Sequence, residues 1–216
     1  EEAGKRNKLY STHQRDEGAS SVGLFTSLNE AIEIGRRAEC KVQISHVKCD
    51  FQKVWGKADK VLALIENAVD EGLDVAGDQY PYSRSSTGIT GALFPRWSLS
   101  GGREETLKIM ANEDSRGELI DGINEIIDQG IGPEAVLIAR YVPDESFEGK
   151  NLAEISDLMR IPPAETVLSM YEKGEAMVIE YSMDENDVDK FAKHHLIAVA
   201  SDGSSVSKEG ILSVGK

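Results

Sequence analysis

Two histidines and an aspartate stand where apolar stretches end. His13 closes Lys8-Leu9-Tyr10-Ser11-Thr12, His46 closes Val42-Gln43-Ile44-Ser45, and Asp202 follows Leu196-Ile197-Ala198-Val199-Ala200-Ser201. In a parallel α/β barrel the C-terminal ends of the strands converge on one face, which is where the active site forms. Two imidazoles and a carboxylate meeting there suit zinc, which takes histidine nitrogen and aspartate oxygen and keeps a position open in catalytic sites. Zinc lowers the pKa of a water it holds to about 7, and a carboxylate beside it can take the water's proton and pass it to a leaving amine. Each residue alone also has a plainer reading. A histidine at a strand end can be a hydrogen-bonded structural residue, and Asp202-Gly203 can be a simple turn. Three such ends in register are less easily accidental, so the metal site, with His13, His46 and Asp202 as its candidate ligands, stands on even terms with the plainer reading.

Other polar residues carry two readings each. Lys48, two residues past His46, either reaches a substrate carboxylate or is solvated. Tyr80-Pro81-Tyr82, leading to Ser85-Ser86-Thr87-Gly88, is either a loop with a proline-fixed turn or a substrate wall, with Tyr80 and Ser86 offering hydroxyl donors. Asp16 and Glu17 beside Arg15 read as a local ion-pair network before a ligand pair. His194 and His195 suit the last turn of a helix, where the dipole favours them. The run from Asp184 to Asp189 reads as a solvated helix face. Trp55 and Trp97 read as core or loop anchors. Cys40 and Cys49 lack a neighbouring base in sequence, which argues against nucleophilic catalysis.

The elements that would position these residues alternate strand and helix. Strands are expected at Lys8–His13, Val42–His46 and Leu73–Asp78. Helical spacing appears in Leu28, Ala31, Ile32, Gly35 and Ala38, with Thr26 or Ser27 as its cap, and again in Val61, Leu62, Ile65, Ala68 and Val69, with Gly72 just past the end. From about Leu93 to Gly174 the rhythm breaks. This stretch reads as an inserted, mainly helical subdomain with one short strand at Ala135–Ala139. Strand character resumes at Ala176–Glu180. A helix follows from Ser182, with Glu185 completing a capping box. The apolar run Leu196–Ser201 suits a strand buried on both faces of a parallel sheet. The division expected is therefore residues 1–92, an insert at 93–175, and a return at 176–216. The fold class is α/β with parallel strands, too few units to close an eightfold barrel and enough for about half of one.

The 216 residues are 40% hydrophobic and 29% charged, an ordinary globular composition. The formal net charge of -14 repels nucleic acid and anionic membranes, so neither is expected as a partner. No run of 18 apolar residues occurs, and no signal peptide is visible at Glu1-Glu2-Ala3-Gly4-Lys5-Arg6. The lack of an initiator methionine, with a strand beginning almost at once, points to a processed or shortened chain. Two cysteines nine residues apart, without zinc-finger partners, fit a reduced, cytoplasmic protein.

Taken in order, Tyr10-Ser11-Thr12-His13-Gln14-Arg15-Asp16-Glu17-Gly18, Gln43-Ile44-Ser45-His46-Val47-Lys48, Trp55-Gly56-Lys57, Asp78-Gln79-Tyr80-Pro81-Tyr82 with Ser86-Thr87-Gly88, Gly149-Lys150-Asn151-Leu152 and Ser201-Asp202-Gly203 resemble the D-aminoacylases. These are the N-acyl-D-amino-acid deacylases of the amidohydrolase superfamily. The resemblance covers nearly the whole chain, least distinctly in the insert. It implies a partial (β/α)8 TIM-type metal-dependent hydrolase barrel, roughly strands 5–8. His13 would match the metal histidine of the fifth strand and His46 that of the sixth. Asp202 would match the eighth-strand aspartate, both general base and second-metal ligand. Tyr80 and Ser86 would hold the substrate's carboxylate and neighbouring polar groups. The implied cofactor is zinc and the implied substrate an N-acyl-D-amino acid. The family's His-x-His pair, bridging cysteine and substrate arginine have no match here, so weak metal affinity and little activity are expected of the chain alone.

Two other readings compete. One is a cyclic-amide hydrolase of the hydantoinase or dihydroorotase kind, against which the Tyr80-Pro81-Tyr82 and Ser86-Thr87 segment speaks. The other is a non-catalytic structural fragment that self-associates through an open sheet edge, giving a homo-oligomer.

Overall fold

The computed structural model describes residues 1–203, which group into two compact units. The first comprises Glu1–Ser83 and the segment from Met183 onward; the second is Arg84–Ser182.

The first unit opens with a short helix α1 (Glu2–Lys5), strand β1 (Leu9–Thr12), helix α2 (Leu24–Ala38), strand β2 (Lys41–Ile44), helix α3 (Ala58–Asp70) and strand β3 (Val75–Gln79). In the second unit lie β4 (Arg84–Gly88), α4 (Ile89–Leu93), α5 (Gly102–Ala111), α6 (Glu113–Gln129), β5 (Val136–Arg140), α7 (Leu152–Met159), α8 (Pro163–Lys173) and β6 (Met177–Tyr181). The chain then re-enters the first unit with α9 (Glu185–Ala192) and β7 (Ile197–Val199).

The first unit is built as the alternating pattern requires. Its four strands lie in the order β1-β2-β3-β7, and every pair is parallel. Parallel neighbours need crossovers, which α2 and α3 supply. Leu28, Ile32, Val61, Ile65 and Phe191 from the helices meet Val42, Ile44, Val75 and Ile197 of the sheet in one core. Gly35 is there because α2 runs close to β2: a Cβ at this position would stand 2.2 Å from Val42 Cγ2. Gly72, just past α3, has φ of 91°, a left-handed conformation that glycine adopts without a Cβ clash.

Local signals were misplaced at three points. Ser27 is not the cap of α2. It lies inside the helix, buried, and its hydroxyl accepts the Asp16 backbone N–H at 3.0 Å, while Gly23 occupies the cap. The cap of α9 is Asp184, not Ser182; its carboxylate accepts from the N–H groups of Asn186 and Asp187. β7 is not buried on both faces. Ile197 is buried, but Val199 is 59% exposed, because β3 is the strand's partner and β7 forms the edge of the described sheet.

The second unit differs more from expectation. It contains an antiparallel sheet ordered β4-β6-β5, covered by helices whose Ile89, Leu93, Leu119, Ile123, Leu152 and Val167 pack with Ile138 and Val178. The stretch Ala176–Glu180 does not rejoin the parallel sheet. It forms most of β6, the central strand of this second sheet, with Val178, Ile179 and Glu180 all buried. The division falls at 84 and 182, not at 93 and 175. An apolar run of five residues fits a central antiparallel strand as well as a parallel one, so periodicity alone could not assign it.

Candidate metal centre

His13 directly follows β1 and His46 lies two residues past β2. Because β1 and β2 pair in parallel register, Thr12 opposite Ile44, both histidines emerge at the same C-terminal edge. The ladder extends beyond the strands: Ser45 N–H donates to Thr12 O at 3.0 Å, and the Ser11 and Ser45 hydroxyls are 3.2 Å apart. The chain turns sharply at His46, whose φ is 40°, uncommon for a residue with a side chain. Asp78 of β3 holds that turn. Its carboxylate accepts the His46 backbone N–H at 2.8 Å and the Gln43 side-chain amide at 2.7 Å, and its carbonyl accepts Val47 N–H at 2.7 Å.

The two imidazoles meet edge to face, with centroids 4.7 Å apart. His13 Nδ1 and His46 Nε2 are separated by 2.9 Å. On the other side of the His46 ring, Nδ1 lies 2.8 Å from Glu17 Oε1 and 2.9 Å from Lys48 Nζ. Lys48 Nζ is in turn 2.6 Å from Glu17 Oε1, and both side chains are nearly buried. Burial pushes the Glu17 carboxyl up, but the His46 hydrogen bond and the Lys48 charge outweigh it and hold the group below its ordinary value. Lys48 also lies 5.5 Å from the ring centroid of Tyr80, which is buried and stacked near Tyr82.

Glu17 owes its position to its neighbour. Asp16 is buried, and its carboxylate gathers the backbone N–H groups of Gly18, Ser20, Ser21 and Gly23 together with the Ser20 and Ser21 hydroxyls. Burial would raise its pKa, but the N–H groups of Gly23, Gly18 and Ser21 bring it down to about 2. Arg15 pairs with Glu30 of α2. Asp16 organises the loop, and Glu17 joins the histidines. Adjacent carboxylates in one loop gave no sequence signal for which would turn inward.

Among the described residues, the donor atoms that could share a metal ion are those of His13, Glu17 and His46, all within 4.8 Å of one another. Asp202 stands outside this group; it is exposed beyond β7, with φ of 45°. Ser86 is on β4 of the second unit, opposite Ile179. Cys49 is buried, and desolvation, reinforced by Asp187, pushes its thiol far above the ordinary range, which makes it a poor nucleophile. His194 pairs with Glu66 at 3.0 Å and closes α9 in a structural role. The donor types fit zinc: two imidazole nitrogens and a carboxylate close by. Ligands at roughly 2.0–2.1 Å from a tetrahedral ion stand roughly 3.3 Å apart, so the 2.9 Å between His13 Nδ1 and His46 Nε2 needs only a small opening.

Parallel strand-helix units whose C-terminal edge carries two adjacent histidines and a carboxylate bring together donors of the kind zinc takes. Comparison with known proteins shows where such an arrangement recurs. No family model matches the chain. The chain is 30% identical over 201 residues to N-acyl-D-glutamate deacylase of Alcaligenes xylosoxydans xylosoxydans, covering 93% of this chain and 33% of that protein. Over 79 residues, 37% of this chain and 16% of the other, it is 42% identical to D-aminoacylase of the same organism. Among solved structures, N-acyl-D-glutamate deacylase of Bordetella bronchiseptica, complexed with zinc and a phosphonate inhibitor mimicking the tetrahedral intermediate, superposes with a TM-score of 0.67 at 25% identity, over 93% of this chain and 34% of that one. D-aminoacylase, described as defining a novel subset of amidohydrolases, gives 0.64 at 26% identity, over 93% and 33%. The neighbours of this chain in sequence and structure are thus N-acyl-D-glutamate deacylase and D-aminoacylase, matched along part of their length; the chain spans about a third of the first. No helix of the described residues is long and apolar enough to cross a membrane.

Proposed function

We propose that this chain forms part of a zinc-dependent amidohydrolase that cleaves the amide bond of N-acyl-D-amino acids, contributing roughly strands 5–8 of a (β/α)8 barrel. The observation that carries the reading is the approach of His13 Nδ1 to His46 Nε2, 2.9 Å apart at the C-terminal edge of adjacent parallel strands. The deacylase relatives support it.

In this reading His13, His46 and Asp202 hold the ion. Zinc there would polarise the acyl carbonyl and acidify the attacking water. Asp202 takes the water's proton and returns it to the departing amine, which leaves as the D-amino acid. Lys48, beside His46, and Tyr80, whose ring centroid lies 5.5 Å from Lys48 Nζ, supply a cation and a phenol for the substrate carboxylate. Ser86 is a further substrate contact by the sequence resemblance. The chain alone is expected to turn over poorly, because the clustered donors are two histidines and a carboxylate already engaged by Lys48. A cyclic-amide substrate is not favoured, since the named relatives are deacylases.

The test is hydrolysis of a panel of N-acetyl-D-amino acids and of hydantoins by the chain and by any longer polypeptide containing it. Release of free D-amino acid, abolished by Asp202→Asn, is the expected result. Turnover of hydantoins alone, or activity indifferent to Asp202, contradicts the reading.

A further inference from the structure

The chain leaving β2 slips by one residue against β3 where it reaches His46. Val42 N–H donates to Asp74 O, the carbonyl before its partner Val75. Bonds along one side of a parallel strand recur every second residue, so the same pattern would bring His46 N–H to Asp78 O. That carbonyl instead accepts Val47 N–H at 2.7 Å. The displaced His46 N–H goes to the Asp78 carboxylate, Oδ1, at 2.8 Å, and Oδ2 accepts the Gln43 side-chain amide at 2.7 Å. Asp78 thus holds both residues of the slip, Val47 with its backbone and His46 with its side chain.

The slip decides where the imidazole points. Continued in register, the ladder would set Ser45 opposite His13 and His46 opposite Gln14. Successive side chains of a strand take opposite faces. Ile44 is buried in the core against the helices, whereas the Ser45 hydroxyl meets that of Ser11 on the other face. An extended His46 would follow Ile44 toward the core, level with the buried Gln14. With φ at 40° it lies beside His13 instead. A residue with a side chain keeps that conformation only where its surroundings hold it, and a displaced N–H needs an acceptor.

We propose that Asp78 is a positioning residue for His46: its side chain, steadied by Gln43, holds the slip that turns the imidazole away from the helix-covered face and toward His13. It acts as a hydrogen-bond acceptor and not as a metal ligand, since the donors that could share an ion among the described residues are His13, Glu17 and His46. Its charge is not what the turn needs. An amide in its place keeps one oxygen for His46 N–H, and Gln43 can turn its own amide over to offer Oε1 to the new N–H group. The effect on zinc rests on the zinc reading above; the turn does not, since it belongs to the chain free of any ion.

The experiment is NMR of the labelled chain without metal, followed by zinc titration against a chelator. In the unmutated chain His46 should give the strong intraresidue HN–Hα NOE of a positive φ, and its ring protons should show NOEs to those of His13. D78N should keep both signals and the zinc affinity. D78L, or D78A should the leucine variant not fold, should lose both signals, and zinc affinity should fall about 10–100-fold. A negative φ at His46 in the unmutated chain overturns the proposal without any variant. So does a D78L or D78A chain that keeps the turn. Loss of zinc in D78N with both signals intact also overturns it, because Asp78 would then act through its charge or as a ligand. If the signals behave as stated but the unmutated chain takes no zinc, the positioning of His46 stands and the metal reading fails.

Discussion

At Asp16 a single carboxylate closes the loop between β1 and α2, accepting four backbone N–H groups and two hydroxyls. Its folded pKa of about 2 lies below the ordinary 3.8, so the stability it contributes is complete above the unfolded value and is lost as pH falls toward the folded one. Stability measured by urea unfolding should therefore drop by about 1–2 kcal/mol between pH 5 and pH 2 on its account. Asp16→Asn should remove that part of the pH dependence; an unchanged slope would contradict it. Lys48 and Glu17 form the other residue-scale test. Each leaves a buried, uncompensated charge when the other is removed, so K48M should cost about 3–5 kcal/mol. The double variant E17Q/K48M should cost clearly less than the sum of the two single changes in the same unfolding assay. These roles were unreadable from the chain. His13, His46 and Lys48 stood out in the sequence because they end or follow apolar runs, and the structure brings them beside one another; Asp16 and Glu17 are neighbours of identical charge, and only the loop's path separates the two.

The helices of the first unit are tied to each other by residues that periodicity treats as surface. The segment from Asp184 to Asp189 read as a solvated face, yet Asp187 is buried and accepts the N–H groups of Gly56 at 2.6 Å and Ala58 at 3.1 Å. A side chain of α9 thus caps α3, placing negative charge at its positive end. Asp187→Ala should lower stability by about 1–2 kcal/mol, and hydrogen exchange should quicken at the start of α3 before it does elsewhere. Equal protection in the variant would show the cap to be dispensable. Gly35 sets how closely α2 approaches β2, the strand that carries His46. Gly35→Ala should cost about 1–3 kcal/mol through overpacking against Val42, read as a lower urea midpoint with unchanged slope. The spacing of Leu28, Ile32 and Gly35 announced the helix, but which face the glycine served depended on the neighbouring strand.

For the whole molecule, the parallel sheet was legible because β1, β2 and β3 are joined in turn by the helical crossovers α2 and α3, and that rhythm is written locally. The second unit was not, because its strands β4, β5 and β6 are far apart in the chain and pair antiparallel around a strand whose apolar run has no distinctive period. Its two ends, Arg84 and Tyr181, are directly opposite each other in that sheet, and its core is self-contained. Residues 84–182 alone should therefore fold with a single cooperative melt; a chain without a thermal transition would contradict this. The first unit carries the clustered donors His13, Glu17 and His46, and on the convergence of its two histidines the functional reading depends. The measurement that addresses it most directly is zinc bound per chain, by elemental analysis after dialysis against micromolar zinc, in the unmutated protein and in His46→Ala. Close to one zinc per chain, lost in the variant, is the predicted result. Zinc absent from both, or retained equally by the variant, would contradict a centre built on His13 and His46.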